Sequence, residues 1–118
     1  MSKRADRYLE FSISKKALRE EFGLQEYGPE FEVMLEYIAI QNHQNLRLSV
    51  KDLMSVKSLG SPATIHARLK ILRDYDWVEL KETGDRRRKQ VVVSASAALY
   101  FEQLGKALHK IAISKKYH

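Results

Sequence analysis

A five-residue basic segment lies between two short stretches of strand-forming residues. The segment is Asp85–Lys89, with four cations and one carboxylate, and its neighbours are Val78–Lys81 and Gln90–Val93. Thr83-Gly84 precedes it as a turn signal, so these residues predict a β-hairpin with a charged tip. Because cations this close repel one another in the free protein, such a tip indicates a densely negative partner.

The residues before the hairpin predict two helices joined by a turn. The first helix begins at Ser49, which has the spacing of a capping box with Asp52, and is expected to end near Gly60. Ser61 is expected to cap the second helix, and Pro62 occupies the first helical position, where a missing N–H removes no hydrogen bond. Helix, turn, helix and basic hairpin is the outline of a winged-helix DNA-binding domain.

The second helix is expected to run to about Tyr75, with one apolar face and one polar face. At 100° per residue, Leu69 and Leu72 fall within about 40° of Ile65, which predicts a core stripe. The opposite side and the start of the helix supply the candidate DNA contacts Ser61, Ala63, Thr64, His66, Ala67 and Lys70. Small residues suit a helix entering a major groove about 12 Å wide, and the polar ones can bind bases or phosphates. An ordinary amphipathic helix with a solvated outer face is the alternative.

The basic tip supplies the other candidate DNA contacts, Arg86, Arg87, Arg88 and Lys89. A rigid arginine at a hairpin tip can enter a narrow minor groove, where the potential is most negative. The other cations would then hold flanking phosphates. Asp85 is expected to support the wing by hydrogen-bonding Arg87 and fixing its direction. The alternative is a charged run that only faces water.

Composition agrees with a nucleic-acid partner and offers no support for an enzyme. The 118 residues suffice for one domain with helical extensions, and 21 Lys and Arg against 15 Asp and Glu leave a net charge of +6. The absence of cysteine excludes disulfides and thiolate metal sites. The four histidines lie far apart, and the sequence has neither a glycine-rich phosphate loop nor a recognisable acid–base pair. We therefore expect no metal, no cofactor and no catalytic residue.

The sequence contains no apolar run near the roughly 20 residues that a membrane span requires. The charged start Met1–Arg7 is not followed by the apolar region of a signal peptide. We therefore expect a cytoplasmic protein with no membrane partner.

Regions on both sides of the predicted DNA-binding domain are expected to be helical. A short helix from Ser14 to Phe22 would stop at Gly23, and a second would cover Glu30–His43, after a break at Tyr27-Gly28-Pro29. Leu46–Leu48 alternates like a single edge strand. These patterns predict an N-terminal extension over residues 1–28, a DNA-binding domain over residues 29–94 and a helix from Ala95 to the end.

The C-terminal helix, residues 95–118, has the pattern of a dimerisation helix. Phe101, Leu104, Leu108 and Ile111 recur at steps of three, four and three residues. This is the narrow stripe of a helix pair rather than the wider face of a helix lying on a globular core. We therefore expect a homodimer, with residues 1–28 contributing to the interface.

The stretch from Leu53 to Ser94 resembles the winged-helix core of the MarR family of bacterial transcription regulators. The matching residues are Ser61–Ile65 at the start of the second helix, Leu72 in the core, and Asp85 with Arg87 in the wing. The family's wing pattern is Asp-x-Arg. Where the family usually has Gly-Leu-Val after the recognition helix, this chain has Asp76-Trp77-Val78; aspartate tolerates the left-handed conformation that the turn requires.

The resemblance implies an α+β, mostly helical fold: a winged helix-turn-helix with a small antiparallel β-hairpin wing and terminal dimerisation helices. It also implies a dimer that reads palindromic double-stranded DNA, with half-sites about 34–36 Å apart, often as a repressor. Members are often released by small aromatic ligands, but no residue pattern here supports an effector. Two alternatives remain open, a winged helix that binds an acidic protein partner and a DNA-binding protein of replication or plasmid partitioning.

Overall fold

The computed structural model describes residues 1–84 and 88–117. Asp85, Arg86 and Arg87 lie outside the described residues, and with them the predicted hydrogen bond between Asp85 and Arg87. The chain divides into a terminal unit, Met1–Glu26 with Ala98–His118, and a central unit, Tyr27–Ala97.

Five α-helices and one β-hairpin make up the described chain. The elements are α1 (Lys3–Glu21), α2 (Pro29–His43), α3 (Val50–Met54), α4 (Pro62–Asp74), β1 (Val78–Glu82), β2 (Lys89–Val93) and α5 (Ala95–Ala112). Short 3₁₀ turns cover Leu24–Glu26, Lys57–Leu59 and Lys115–Tyr117. In the described part of the chain, no helix is long and apolar enough to cross a bilayer.

The core of the central unit is built from one face of each of the helices α2, α3 and α4 and from the hairpin. The predicted stripe of α4 is confirmed, because Ile65, Leu69 and Leu72 are all buried. The other buried apolar residues of this unit are Met34, Leu35, Ile38, Leu48, Leu53, Leu59, Trp77, Val78, Val91 and Ala97. Burial of this apolar surface fixes which side of α4 faces outward.

The predicted β-hairpin is confirmed as an antiparallel pair. Its register joins Val78 to Val93, Leu80 to Val91 and Glu82 to Lys89. Since side chains alternate across a strand, each of these pairs lies on the same face of the hairpin.

Local capping signals locate the starts of α3 and α4 as expected. At α3, the Ser49 hydroxyl accepts from the N–H of Asp52, and the Asp52 carboxylate accepts from the N–H of Ser49, both at 3.0 Å. At α4, the Ser61 hydroxyl accepts from the N–H of Thr64 at 3.2 Å. Asp76 adopts φ +63°, so the predicted left-handed turn after α4 is confirmed.

Three boundary predictions were wrong. Leu46–Leu48 forms no strand: the chain makes one isolated bridge, Ser49 to Gln90, before α3 begins at Val50 and leaves no length for a ladder. The helix that starts at Val50 ends at Met54, and a separate 3₁₀ turn occupies Lys57–Leu59. In the other direction, α5 ends at Ala112 instead of continuing to the terminus.

The N-terminal helix is longer than the sequence indicated. It begins at Lys3, where the Ser2 hydroxyl accepts from the N–H of Ala5 at 3.1 Å, so Ser14 lies inside the helix. The intervening residues are mostly good helix formers, and their propensity outweighs the weak apolar pattern. The stop at Gly23 is confirmed by its φ of +77°.

The terminal unit is held partly by aromatic contacts. The Tyr100 ring lies 5.4 Å from the ring of Phe22, edge to face, and 5.4 Å from the ring of Phe101. Such ring pairs add about 0.5–1.5 kcal/mol beyond their buried area. Near the chain end, the Lys116 ammonium lies 3.8 Å from the Glu10 carboxylate.

Candidate nucleic-acid interface

The outward face of α4 carries small side chains and few polar ones. Ala63, His66, Ala67 and Lys70 are all exposed. Positions three and four residues apart lie next to each other on a helix, so these four residues form one continuous face. Because the alanine side chains on this face are small, the helix backbone can approach another molecule closely.

Two of the polar residues that were predicted to contact DNA, Ser61 and Thr64, are hydrogen-bonded to each other at the start of α4. The Ser61 hydroxyl donates to the Thr64 hydroxyl at 2.9 Å and accepts from the Thr64 N–H. Thr64 is half-buried, and its methyl group lies beside Gly60. The structure therefore places these two side chains in the cap of the helix.

Lys70 pairs with Asp74, one turn further along α4. The ammonium and the carboxylate are 2.8 Å apart, and 68% and 55% of their side-chain surfaces are exposed. An exposed pair of this kind contributes only about 0.3–0.5 kcal/mol, so another anion can compete for the lysine. Lys70 was predicted from the sequence and Asp74 was missed, although their four-residue spacing was a readable signal.

A groove of about 960 Å³ lies between α3, the first turn of α4 and one face of the hairpin. Three cationic residues, Lys51, Arg88 and Lys89, line it together with Ser49 and Ser55. Arg88 and Lys89 were predicted from the basic tip, whereas Lys51 was not. The structure thus brings a cation of α3 to the same groove as two cations of the hairpin.

The Asp52 carboxylate lies in this groove, and its pKa is lowered from the ordinary value. The Ser49 N–H and then the Ser49 hydroxyl lower the pKa of Asp52, and the charges of Arg88 and Lys51 lower it further; partial desolvation opposes them. Asp52 therefore caps α3, and its charge lies near the cation of Arg88. Its capping function was readable from sequence, but its proximity to Arg88 was not.

The described base of the hairpin tip is closed by two contacts. The Thr83 hydroxyl donates to the backbone carbonyl of Arg88 at 2.6 Å. The Lys89 ammonium lies 3.6 Å from the Glu82 carboxylate on the paired strand. These contacts join the residues at or just after the end of β1 to those at or just before the start of β2.

Two further polar residues position this surface, and sequence reasoning missed both. The Asn42 side chain donates to the carbonyl of Val91 at 3.1 Å and accepts from the N–H of Val93 at 2.9 Å, which ties α2 to β2. The Arg68 guanidinium donates to the carbonyl of Leu59 at 3.1 Å, which ties α4 to the preceding turn. These three hydrogen bonds join residues that are distant in sequence or on different elements, so no local pattern indicated them.

The predicted dimerisation residues lie on α5 in the terminal unit. Phe101, Leu104 and Ile111 are half-buried, and Leu108 is 54% exposed. On α1, Tyr8 and Ile13 are exposed as well. The same unit therefore presents apolar side chains from both helices. Among the described residues, no cluster of three or more His, Asp or Glu side chains could hold a metal ion.

Comparison by sequence identifies no relative of this chain: no protein-family model matches it, and no curated protein matches it significantly. Comparison of structures gives a different result. A DNA complex of MepR from Staphylococcus aureus matches with a TM-score of 0.63 at 19% identity, over 92% of this chain and 84% of that chain. The transcriptional regulator Tm0710 from Thermotoga maritima matches with a TM-score of 0.61 at 12% identity, over 96% and 78%.

A protein from Clostridium acetobutylicum, assigned to the MarR family of transcriptional regulators, matches with a TM-score of 0.53 at 18% identity, over 96% of this chain and 82% of that one. The helix order, the two-stranded hairpin and these similarities confirm the expected architecture. The chain therefore has the winged helix-turn-helix fold of the MarR-like transcription regulators.

Proposed function

We propose that this protein is a sequence-specific regulator of transcription that binds double-stranded DNA as a homodimer. In this proposal α4 enters the major groove and the hairpin, as the wing, reaches the adjacent minor groove. The observation that carries the proposal is the shallow exposed face of α4 beside a groove lined by three cationic residues, in one compact unit. We expect the regulator to act as a repressor, as the family resemblance implies.

The dimensions of α4 suit a major groove. Its 13 residues give a helix about 20 Å long, and the alanines on its outer face allow close approach in a groove about 12 Å wide. The fold also supports this docking, since the MepR structure that resembles this chain was solved as a DNA complex. On this basis Ser61, Ala63, Thr64, His66, Ala67 and Lys70 are proposed to face the DNA, with Ser61 and Thr64 nearest the backbone.

The groove beside α4 is proposed to hold the DNA backbone. Lys51 and Arg88 approach it from α3 and from the hairpin, and Lys89 lies next to Arg88. A phosphate there would gain charge-assisted hydrogen bonds from both sides. The two arginines outside the described residues, Arg86 and Arg87, are proposed to reach the minor groove from the tip.

The terminal unit is proposed to form the dimer interface. Tyr8 is 68% exposed, Ile13 63%, Leu108 54% and Ile113 60%. Large apolar side chains exposed together on one unit favour a partner surface. A second copy related by a two-fold axis would cover them, and the dimer would then carry two α4 helices for the two half-sites of a palindrome.

Selection of bound sequences from a random duplex pool, followed by a salt titration, tests this proposal. We expect a palindromic motif, and for about six phosphate contacts log K should fall with log salt at a slope of about −5. Lys51→Ala and Arg88→Ala should each weaken binding to all sequences alike and reduce the slope by about one for each phosphate that is no longer neutralised. Lys106→Ala removes the same charge from an exposed site of the terminal unit and serves as the control. No duplex binding at low salt, or binding that ignores salt, would refute the proposal.

A further inference from the structure

We infer that His66 is the specificity-determining residue of α4, and that it donates a hydrogen bond to a guanine beside a thymine contacted by Ala63 or Ala67. The inference rests on the proposed function and specifies the class of base step that each half-site must contain.

Among the described polar side chains at the cap and in the first three turns of α4, His66 is the one that makes no internal bond, so it can reach a base without breaking a contact. Ser61 and Thr64 are bonded to each other in the helix cap. Lys70 is paired with Asp74 at 2.8 Å. Arg68 is half-buried and bonded to the Leu59 carbonyl.

His66 differs from these side chains in two respects. Its ring is exposed, and within the part of the chain that the structure describes it makes no hydrogen bond or ion pair. It also lies in the second turn of α4, and the N-terminal part of a recognition helix is the part that contacts base edges. Arg73 is exposed too, but it lies in the last turn of α4, about 16 Å along the axis from Pro62 and away from the N-terminal part that contacts base edges.

The neighbours of His66 define the rest of the contact. Ala63 and Ala67 are three residues before it and one after it, and both are exposed. On the helix surface Ala63 is the neighbour of both His66 and Ala67, so the three side chains form one patch with the Ala63 methyl group beside the imidazole. A methyl group makes apolar contact with the C5-methyl of thymine, which is the feature that distinguishes thymine in the major groove.

The chemistry of imidazole favours guanine as the hydrogen-bonded base. In either charge state the ring carries at least one N–H donor. Guanine offers two acceptors in the major groove, N7 and O6, whereas adenine offers N7 beside an amino donor, and cytosine offers an amino donor. One donor therefore meets acceptors across the whole exposed edge of guanine.

The experiment compares the motifs that wild type, His66→Ala, His66→Gln and His43→Ala select from a random duplex pool. His43 is also exposed but lies at the end of α2, so His43→Ala is the matched control and should select the wild-type motif. His66→Ala should lose the guanine preference at one position per half-site while retaining the others. His66→Gln should shift that position towards adenine, because glutamine pairs with the N6 and N7 edge.

Modified bases then test the atoms involved. In duplexes carrying the wild-type motif, 7-deazaguanine at that position should weaken wild-type binding about tenfold and leave His66→Ala binding unchanged. Uracil in place of the neighbouring thymine should weaken both proteins alike, since it removes only the methyl group.

The outcomes separate this inference from the proposed function. If wild type enriches no sequence, the proposed function fails. If wild type enriches a motif and His66→Ala selects the same one, only the inference is overturned. The inference is also overturned if His66→Ala weakens binding to all sequences by the same factor, because a loss that is independent of sequence indicates that His66 contacts a phosphate and not a base.

Discussion

Gly60 occupies the turn that leads into α4, in a conformation that other residues rarely adopt. Its φ and ψ are +125° and −170°, in a region populated almost only by glycine. A Cβ added there would lie 3.3 Å from the Thr64 methyl group and 3.5 Å from the Thr64 Cβ. Substitution by alanine therefore strains the backbone and crowds the first turn of α4.

The expected cost follows from these two effects. Backbone strain of this kind costs about 1–3 kcal/mol, and the methyl contact can be relieved by a small shift of Thr64. We expect Gly60→Ala to lower the free energy of unfolding by about 2 kcal/mol. For a chain of 118 residues, an unfolding entropy of about 2.1 cal/mol/K per residue makes this a fall in Tm of about 8 °C.

Urea and thermal denaturation followed by circular dichroism measure this effect. The matched control is Gly105→Ala in α5, where an added Cβ meets no atom within 4 Å beyond its chain neighbours and the backbone of its own helix, and where the helix gains propensity. This control should raise stability by about 0.5–1 kcal/mol. If Gly60→Ala is as stable as wild type, or is stabilised as Gly105→Ala is expected to be, the reasoning from the Gly60 backbone is wrong.

Three further perturbations test the local contacts. The pKa of Asp52 is lowered in the folded state, so its charge stabilises the fold above the unfolded-state pKa, and this contribution is lost as pH falls through the folded-state pKa. In urea titrations, the stability advantage of wild type over Asp52→Asn should therefore shrink below about pH 4. An advantage that is constant with pH would contradict this. Asn42→Ala leaves a carbonyl and an N–H of β2 without their hydrogen-bond partner and should lower the free energy of unfolding in urea by about 1–3 kcal/mol. An unchanged free energy of unfolding would show that these two hydrogen bonds do not stabilise the fold. Leu104→Asp combined with Leu108→Asp should give a monomer in sedimentation equilibrium, and a variant that remains dimeric would exclude this stripe as the interface.

Elements of this fold that depend on neighbours in sequence were predictable. The capping box at Ser49, the cap at Ser61 and the left-handed Asp76 each use residues no more than three positions apart, and each is present. The core stripe of α4 followed from helical periodicity. The start of α1 was the main local failure, because its early residues carry helix propensity without an apolar period.

The positions of polar side chains across elements were not predictable. The amide of Asn42 reaches β2 49 residues away in sequence, and the carboxylate of Asp52 lies in a groove with Arg88 of the hairpin. Contacts of this kind depend on how the elements pack, and packing is decided by buried apolar surface rather than by the polar residues themselves.

The sequence by itself determined the order of elements, the apolar side of α4 and the charge of the hairpin tip, since propensity, periodicity and composition act over short stretches of chain. The tertiary structure alone decided which elements that surface combines. It brings Lys51 of α3 and Arg88 and Lys89 of the hairpin to one groove beside the first turn of α4, and it ties α2 to β2 through Asn42. These positions depend on how the elements pack, because the residues concerned lie far apart in sequence.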